Sequence, residues 1–108
     1  MDRKLLDILA CPITRMPLAM LEATGLEALN RFECYLVNTM AALSDHIDDI
    51  AHPNIRAMYD TFHSNIEEAD PVAAFSAHLR NIVHVHISEN DRGVPGRGNI
   101  PWAETFRA

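Results

Sequence analysis

Asp60-Thr61-Phe62-His63 and, further along, His84-Val85-His86 with Glu89 and Arg92 behind it bring a carboxylate and imidazoles to the ends of two apolar runs. Carboxylate oxygen and imidazole nitrogen together suit a divalent metal ion. The runs themselves, Ile55 to Tyr59 and Ile82 to Ile87, read as buried strands: the first is short and follows Pro53-Asn54, and the second sets Ile, His, His against Val, Val, Ile. Between them, Asp70-Pro71 followed by Val72, Phe75 and Leu79 supplies an N-cap, a proline at the first helical position and a helical stripe over about 70 to 80. Strand, helix, strand is the repeating unit of parallel α/β proteins, which gather reactive groups where the strands end.

Each of these residues also has a plain structural reading. Asp60 would serve equally as a helix N-cap with His63 in a loop. His84 and His86, two apart on a strand, point the same way and would do so as satisfied histidines without any ion. Glu27 would look identical as a solvated acid, and Glu33 and Arg92 as surface charges or salt-bridge partners.

The elements that must position these groups begin upstream. Leu5, Leu6, Ile8 and Leu9 before Cys11-Pro12 predict a short helix stopped by the proline. Leu18 to Leu21 is a second short apolar run; after Thr24-Gly25, the stretch Leu26-Glu27-Ala28-Leu29 fits helix or strand equally. From Cys34 to Ile50 the pattern is clearer, because Leu36, Met40, Leu43, Ile47 and Ile50 recur at steps of four and three with Asp45, Asp48 and Asp49 off the stripe. That stripe reads as core. Its acidic end lies where the helix dipole disfavours negative charge, so packing must hold the last turn. Gly93, Pro95, Gly96 and Gly98 form a glycine-rich loop before a helix starting at Ile100-Pro101-Trp102.

At 108 residues and 48% hydrophobic, the chain is sized for one modest domain. A net charge of −6 without a lysine or arginine run argues against nucleic acid or an anionic membrane as partner. The apolar stretches fall short of a membrane span, and Met1-Asp2-Arg3-Lys4 leads into an amphipathic segment carrying Asp7 rather than a signal-peptide core, which predicts a cytoplasmic protein. Cys11 and Cys34 suggest no disulfide framework; Cys11 reads as buried packing.

From about Glu27 to Ala108 the sequence resembles the xylose-isomerase-like barrel family of sugar epimerases, and within it the ketose 3-epimerase branch that acts on tagatose and psicose (allulose). The resemblance is carried by Glu27-Ala28-Leu29-Asn30-Arg31-Phe32-Glu33, Tyr59-Asp60-Thr61-Phe62-His63 with Asn65-Ile66-Glu67-Glu68, His84-Val85-His86-Ile87-Ser88-Glu89-Asn90-Asp91-Arg92, and Pro95-Gly96-Arg97-Gly98 ahead of Trp102. It implies a (β/α)8 barrel with a divalent metal, manganese first and cobalt or magnesium as alternatives, and a ketose or related sugar as substrate. By the resemblance Glu27 is a metal ligand and catalytic acid/base, Asp60 and His86 are metal ligands, and Glu33, His63 and Arg92 contact the sugar. A hard dication polarises a ketose carbonyl and its neighbouring hydroxyl, and two glutamates on opposite faces of the carbon take and return its proton. The second glutamate, also the fourth ligand, belongs on a strand beyond the Trp102 helix, past Ala108.

Residues 1 to 31 resemble instead the opening of the small bacterial zinc-ribbon-like methyltransferase-activator family, through Met1-Asp2-Arg3-Lys4-Leu5-Leu6-Asp7-Ile8-Leu9 and Cys11-Pro12. Thr14 stands where a zinc-binding version has its second cysteine, and one thiolate builds no structural zinc site. The expected organisation is therefore a segment of different origin over 1 to 26 and a truncated sugar isomerase or epimerase barrel over 27 to 108. The expected fold is α/β, a partial (β/α)8 barrel of about three βα units with a short N-terminal helical segment. Its strands lie near 18 to 30, 55 to 60 and 82 to 87, and its helices near 34 to 50 and 70 to 80. Open sheet edges in such a piece predict self-association. The alternatives are a small activator-type binding module or a non-functional fusion fragment.

Overall fold

The computed structural model describes residues 24 to 108. The expected N-terminal helix, the Leu18 to Leu21 run and Cys11 lie outside the described residues. Strands β1 (Thr24–Glu27), β2 (Ile55–Asp60) and β3 (Ile82–His86) form a parallel sheet in chain order with β2 central. Helices α1 (Met40–Ile50), α2 (Thr61–Glu67), α3 (Pro71–Ala77) and α4 (Trp102–Thr105) complete it, with a 3-10 turn at Leu79–Asn81 leading into β3. This is an α/β arrangement with the connectivity of a partial (β/α)8 barrel and an open sheet. No helix among the described residues is long and apolar enough to cross a membrane.

Period-two alternation divides the sheet into two faces. Ile55, Ala57 and Tyr59 of β2 are buried, and Met40, Leu43 and Ile47 of α1 pack against them together with Ala28. Leu26 of β1 and Ile82 and Val85 of β3 join that core through their register with Ala57 and Tyr59. The Tyr59 ring packs against Phe75 of α3 with centroids 4.8 Å apart and planes tilted by 57°, and its hydroxyl donates to the Pro71 carbonyl at 3.1 Å. The opposite face carries Arg56, Met58 and Asp60 of β2 and the residues in register with them: Gly25 and Glu27 on β1, His84 and His86 on β3. Every candidate chemical group on a strand falls on this second face.

Four expectations need correction. α1 begins at Met40 rather than near residue 34, because Thr39 caps it by accepting the Ala42 N–H at 3.2 Å while the Met40 N–H bonds Glu68 Oε1 at 2.7 Å. Cys34 to Asn38 instead form a turn in which Asn38 donates to the Leu29 and Cys34 carbonyls, and Leu36, first member of the stripe, is 75% exposed. β1 ends at Glu27, since Leu29 and Asn30 turn away to bond Val37 and His63. β3 is not buried: Val83 is 53% exposed, because β3 is an edge among the described strands. The helix expected over 70 to 80 ends at Ala77, though Asp70 caps it by accepting the Ala73 N–H at 2.9 Å and Pro71 opens it as expected. α2 is an element the sequence reading did not contain. At the acidic end of α1, Arg80 pairs with Asp48 at 2.6 Å, which offsets the unfavourable dipole there.

The loop after β3 wraps a buried carboxylate. Glu89 accepts hydrogen bonds from the Trp102 indole N–H at 2.5 Å and from the backbone N–H groups of Gly96, Ile100 and Asn90 at 2.7, 3.3 and 3.4 Å. Gly98 lies so close that a Cβ there would stand 2.3 Å from Glu89 Oε2. Burial alone would raise the Glu89 pKa, but these donors outweigh it and hold it down from 4.5 to about 2.

Leu43, 2% exposed beneath the sheet, should cost about 2–5 kcal/mol when cut to alanine, read from the shift in urea midpoint. A depressed carboxylate stabilises the fold fully above its unfolded pKa and loses that contribution as pH falls from 4.5 through about 2. The urea midpoints of wild type and Glu89→Gln should therefore differ most near neutrality and converge toward pH 2, whereas a pH-independent gap would contradict this account.

Candidate metal and sugar site

Glu27, Asp60 and His86 are the last residues of β1, β2 and β3. Asp60 and His86 stand in register because the β2–β3 pairing slips by one residue between Ala57 and Met58: Ala57 faces Ile82, but Met58 faces His84. An unbroken ladder would set Val85 beside Asp60, and a one-residue slip exchanges the two faces of a strand. With the slip, His86 Nδ1 lies 3.6 Å from Asp60 Oδ2, and the His84 ring meets the His86 ring edge-on at 5.1 Å.

Asp60 divides its carboxylate. Oδ1 caps α2 by accepting the N–H groups of Phe62 at 2.8 Å and His63 at 3.3 Å, while Oδ2 faces His86. The capping reading and the site reading of this residue are both realised. The first turn of α2 places His63, which is buried, at the same strand ends, and Nε2 of His63 stands 3.7 Å from Glu27 Oε1 and 3.8 Å from Glu33 Oε2. Glu27, Asp60 and His63 each offer a ligand atom within 4.8 Å of the others, a cluster that could hold a metal ion.

Burial first, and then the negative charge of Asp60, push the Glu27 carboxyl above its ordinary pKa. Two carboxylates held this close to imidazole nitrogens fit a divalent cation, which would relieve their mutual repulsion. The donor set therefore matches the implied metal.

Around this cluster runs a second layer of polar contacts. Arg92, in the left-handed region at φ 63°, pairs with Glu33 and lies 4.4 Å above the Phe62 ring. Arg31 holds Glu67 bidentately, joining the loop after β1 to the end of α2. Thr61 Oγ1 donates to the Ser88 carbonyl at 2.7 Å and accepts the Ser88 N–H at 3.0 Å, which fastens the loop after β3 to α2. Glu27, Glu33, Asp60, His63, His86 and Arg92 are thus brought together. Sequence reasoning missed Asn30, Phe62 and the structural part of Glu89. For Asn30 and Phe62 the available signal was position alone, between pairs of residues already singled out.

A family model described as "Xylose isomerase-like TIM barrel" matches residues 23–108. The chain belongs to that family. It is 47% identical over 83 residues to a D-psicose 3-epimerase of Ruminiclostridium cellulolyticum, covering 77% of this chain and 28% of that protein. A D-psicose 3-epimerase of Enterocloster bolteae is 42% identical over 84 residues, and an L-ribulose 3-epimerase of Mesorhizobium japonicum 47% over 84, each match covering 28% of the relative. Among solved structures, D-psicose 3-epimerase from Clostridium cellulolyticum, solved with D-tagatose, superposes with a TM-score of 0.71 at 47% identity, covering 73% of this chain and 27% of that one. D-allulose 3-epimerase from Methylomonas, in complex with D-allulose, gives 0.75 at 35%, covering 80% and 30%. The chain spans 28% of the length of these curated relatives, and its three strands form part of the family's barrel.

Because asparagine caps helices about as well as aspartate, Asp60→Asn should leave the unfolding midpoint nearly unchanged, whereas Asp60→Ala should cost about 1 kcal/mol. Parallel urea titrations of the two variants separate the cap from the charge.

Proposed function

We propose that this chain supplies one portion of a metal-dependent ketose 3-epimerase barrel, working by proton transfer, with Glu27, Asp60 and His86 as ligands and Glu27 as acid/base. The observation that carries the reading is the register slip that sets His86 beside Asp60 at the ends of parallel strands, with Glu27 on the same face. It gains support from relatives that are ketose 3-epimerases over this stretch.

A divalent cation, manganese first and cobalt or magnesium as alternatives, would draw charge from the carbonyl and adjacent hydroxyl of a ketose. Glu27 takes the proton from the sugar carbon through a carboxylate oxygen. Glu33, His63 and Arg92 contact sugar hydroxyls and fix which carbon faces Glu27. Return of the proton on the opposite face needs a second glutamate, which this reading assigns to the remainder of the barrel, so the chain alone binds metal weakly and turns over little. The same proposal takes the residues ahead of the barrel as a segment of different origin, with its end drawn back from residue 26 to 22, because the family match begins at residue 23 and β1 at Thr24. It also has copies associating through the sheet edges, where Val83 and Ile87 are exposed.

Calorimetric titration with manganese should give measurable binding to the wild type. Asp60→Asn and His86→Ala should each weaken it by about tenfold or more, since each donor carries a large share of so small a ligand set. Unchanged affinity in both variants would reject the ligand assignment.

A further inference from the structure

Asn30 is 1% exposed and spends its hydrogen-bonding capacity at the edge of the candidate site. Its carbonyl accepts the N–H groups of Glu33 and Cys34, both at 3.0 Å, which shapes the turn that carries Glu33. Its side-chain Oδ1 accepts the Phe32 N–H at 3.0 Å. A backbone N–H can only donate, so that bond settles the orientation of the amide and leaves Nδ2, a donor, facing His63 Nδ1 at 2.9 Å. The backbone N–H of Asn30 donates to the same nitrogen at 3.1 Å. Two donors aimed at His63 Nδ1 require that it carry no hydrogen, and in a neutral imidazole the proton then resides on Nε2. That Nε2–H points into the site, toward Glu27 Oε1 and Glu33 Oε2 at 3.7 and 3.8 Å. Both distances exceed a hydrogen bond.

We propose that Asn30 is a positioning residue that fixes His63 as the Nε2–H tautomer, so that the nitrogen His63 presents to the site is a hydrogen-bond donor and cannot serve as a metal ligand. Geometric proximity groups His63 with Glu27 and Asp60, but a ring nitrogen bearing a proton has no lone pair for a metal. His63 Nδ1, already holding two donors, is closed to it as well. Both nitrogens of His63 are thereby accounted for without an ion. His86 is under no such constraint from Asn30, and its Nδ1 faces Asp60 Oδ2. The assignment of donor and ligand rests on the epimerase reading above; the tautomer does not.

The test is a long-range proton–nitrogen correlation spectrum of the imidazoles in the full chain, labelled with nitrogen-15 and free of metal. His63 should show a protonated Nε2 and a bare Nδ1. Asn30→Asp keeps an acceptor for the Phe32 N–H but replaces the Nδ2 donor with an oxygen, leaving the backbone N–H as the remaining donor to Nδ1; the share of His63 with a bare Nδ1 should fall, and an unchanged share would overturn the role given to the Asn30 side chain. Magnesium, which is diamagnetic, is then titrated into the wild type: the His63 pattern should persist while the His86 resonances shift. A wild-type spectrum with Nδ1 protonated, or loss of the His63 Nε2 proton on adding magnesium, overturns the proposal. It needs no variant to fold. If no histidine responds to magnesium while His63 keeps its pattern, the epimerase reading fails and the tautomer lock stands.

Discussion

The candidate site depends on one irregularity in strand pairing. Parallel ladders hold neighbouring strands in fixed register, and each residue's face follows from that register. The slip between Ala57 and Met58 turns His84 and His86 onto the face that carries Glu27 and Asp60, while Val85 stays with Tyr59 over the helices. Apolar residues thereby keep the covered side and imidazoles keep the open one. Moving the register by one residue would put His86 into the core and leave Asp60 without a nitrogen beside it.

Two buried polar residues then hold the loops that begin where the strands end. Asn30 ties the turn after β1 to His63 on α2, and Glu89 gathers the loop after β3 around its carboxylate. Each satisfies its neighbours through several hydrogen bonds, which is the condition for a buried polar group to order a structure rather than weaken it. Asp60 does similar work with half its carboxylate, capping α2 with Oδ1 while Oδ2 turns toward His86.

Much of this was legible in the residues. The β2 run and its end at Asp60, the cap and proline opening α3, and the helix after Ile100-Pro101 all follow from local chemistry. The candidate residues stand together where strand ends were expected. What escaped sequence reading depends on distant partners. The stripe from Leu36 to Ile50 has helical spacing, but Asn38 and Thr39 find partners that hold back the start of the helix to Met40. α2 is seven residues without a strong apolar stripe, started by the Asp60 cap and held by contacts across the sheet. A register slip leaves no mark in composition, and neither asparagine nor glutamate announces that it will be buried with its bonds complete.

Strand order follows chain order, so most contacts that assemble the candidate site join consecutive βα units: Asn30 and His63 are separated by 33 positions, while the Arg92–Glu33 pair, 59 apart, reaches from the third unit to the first. Closing loops of that size carries an entropy cost that grows only slowly with length. Neighbouring units can therefore meet early, before a distant strand returns to seal a cylinder. The acidic and imidazole groups on these three strands therefore form a unit that is contiguous in the sequence as well as in space.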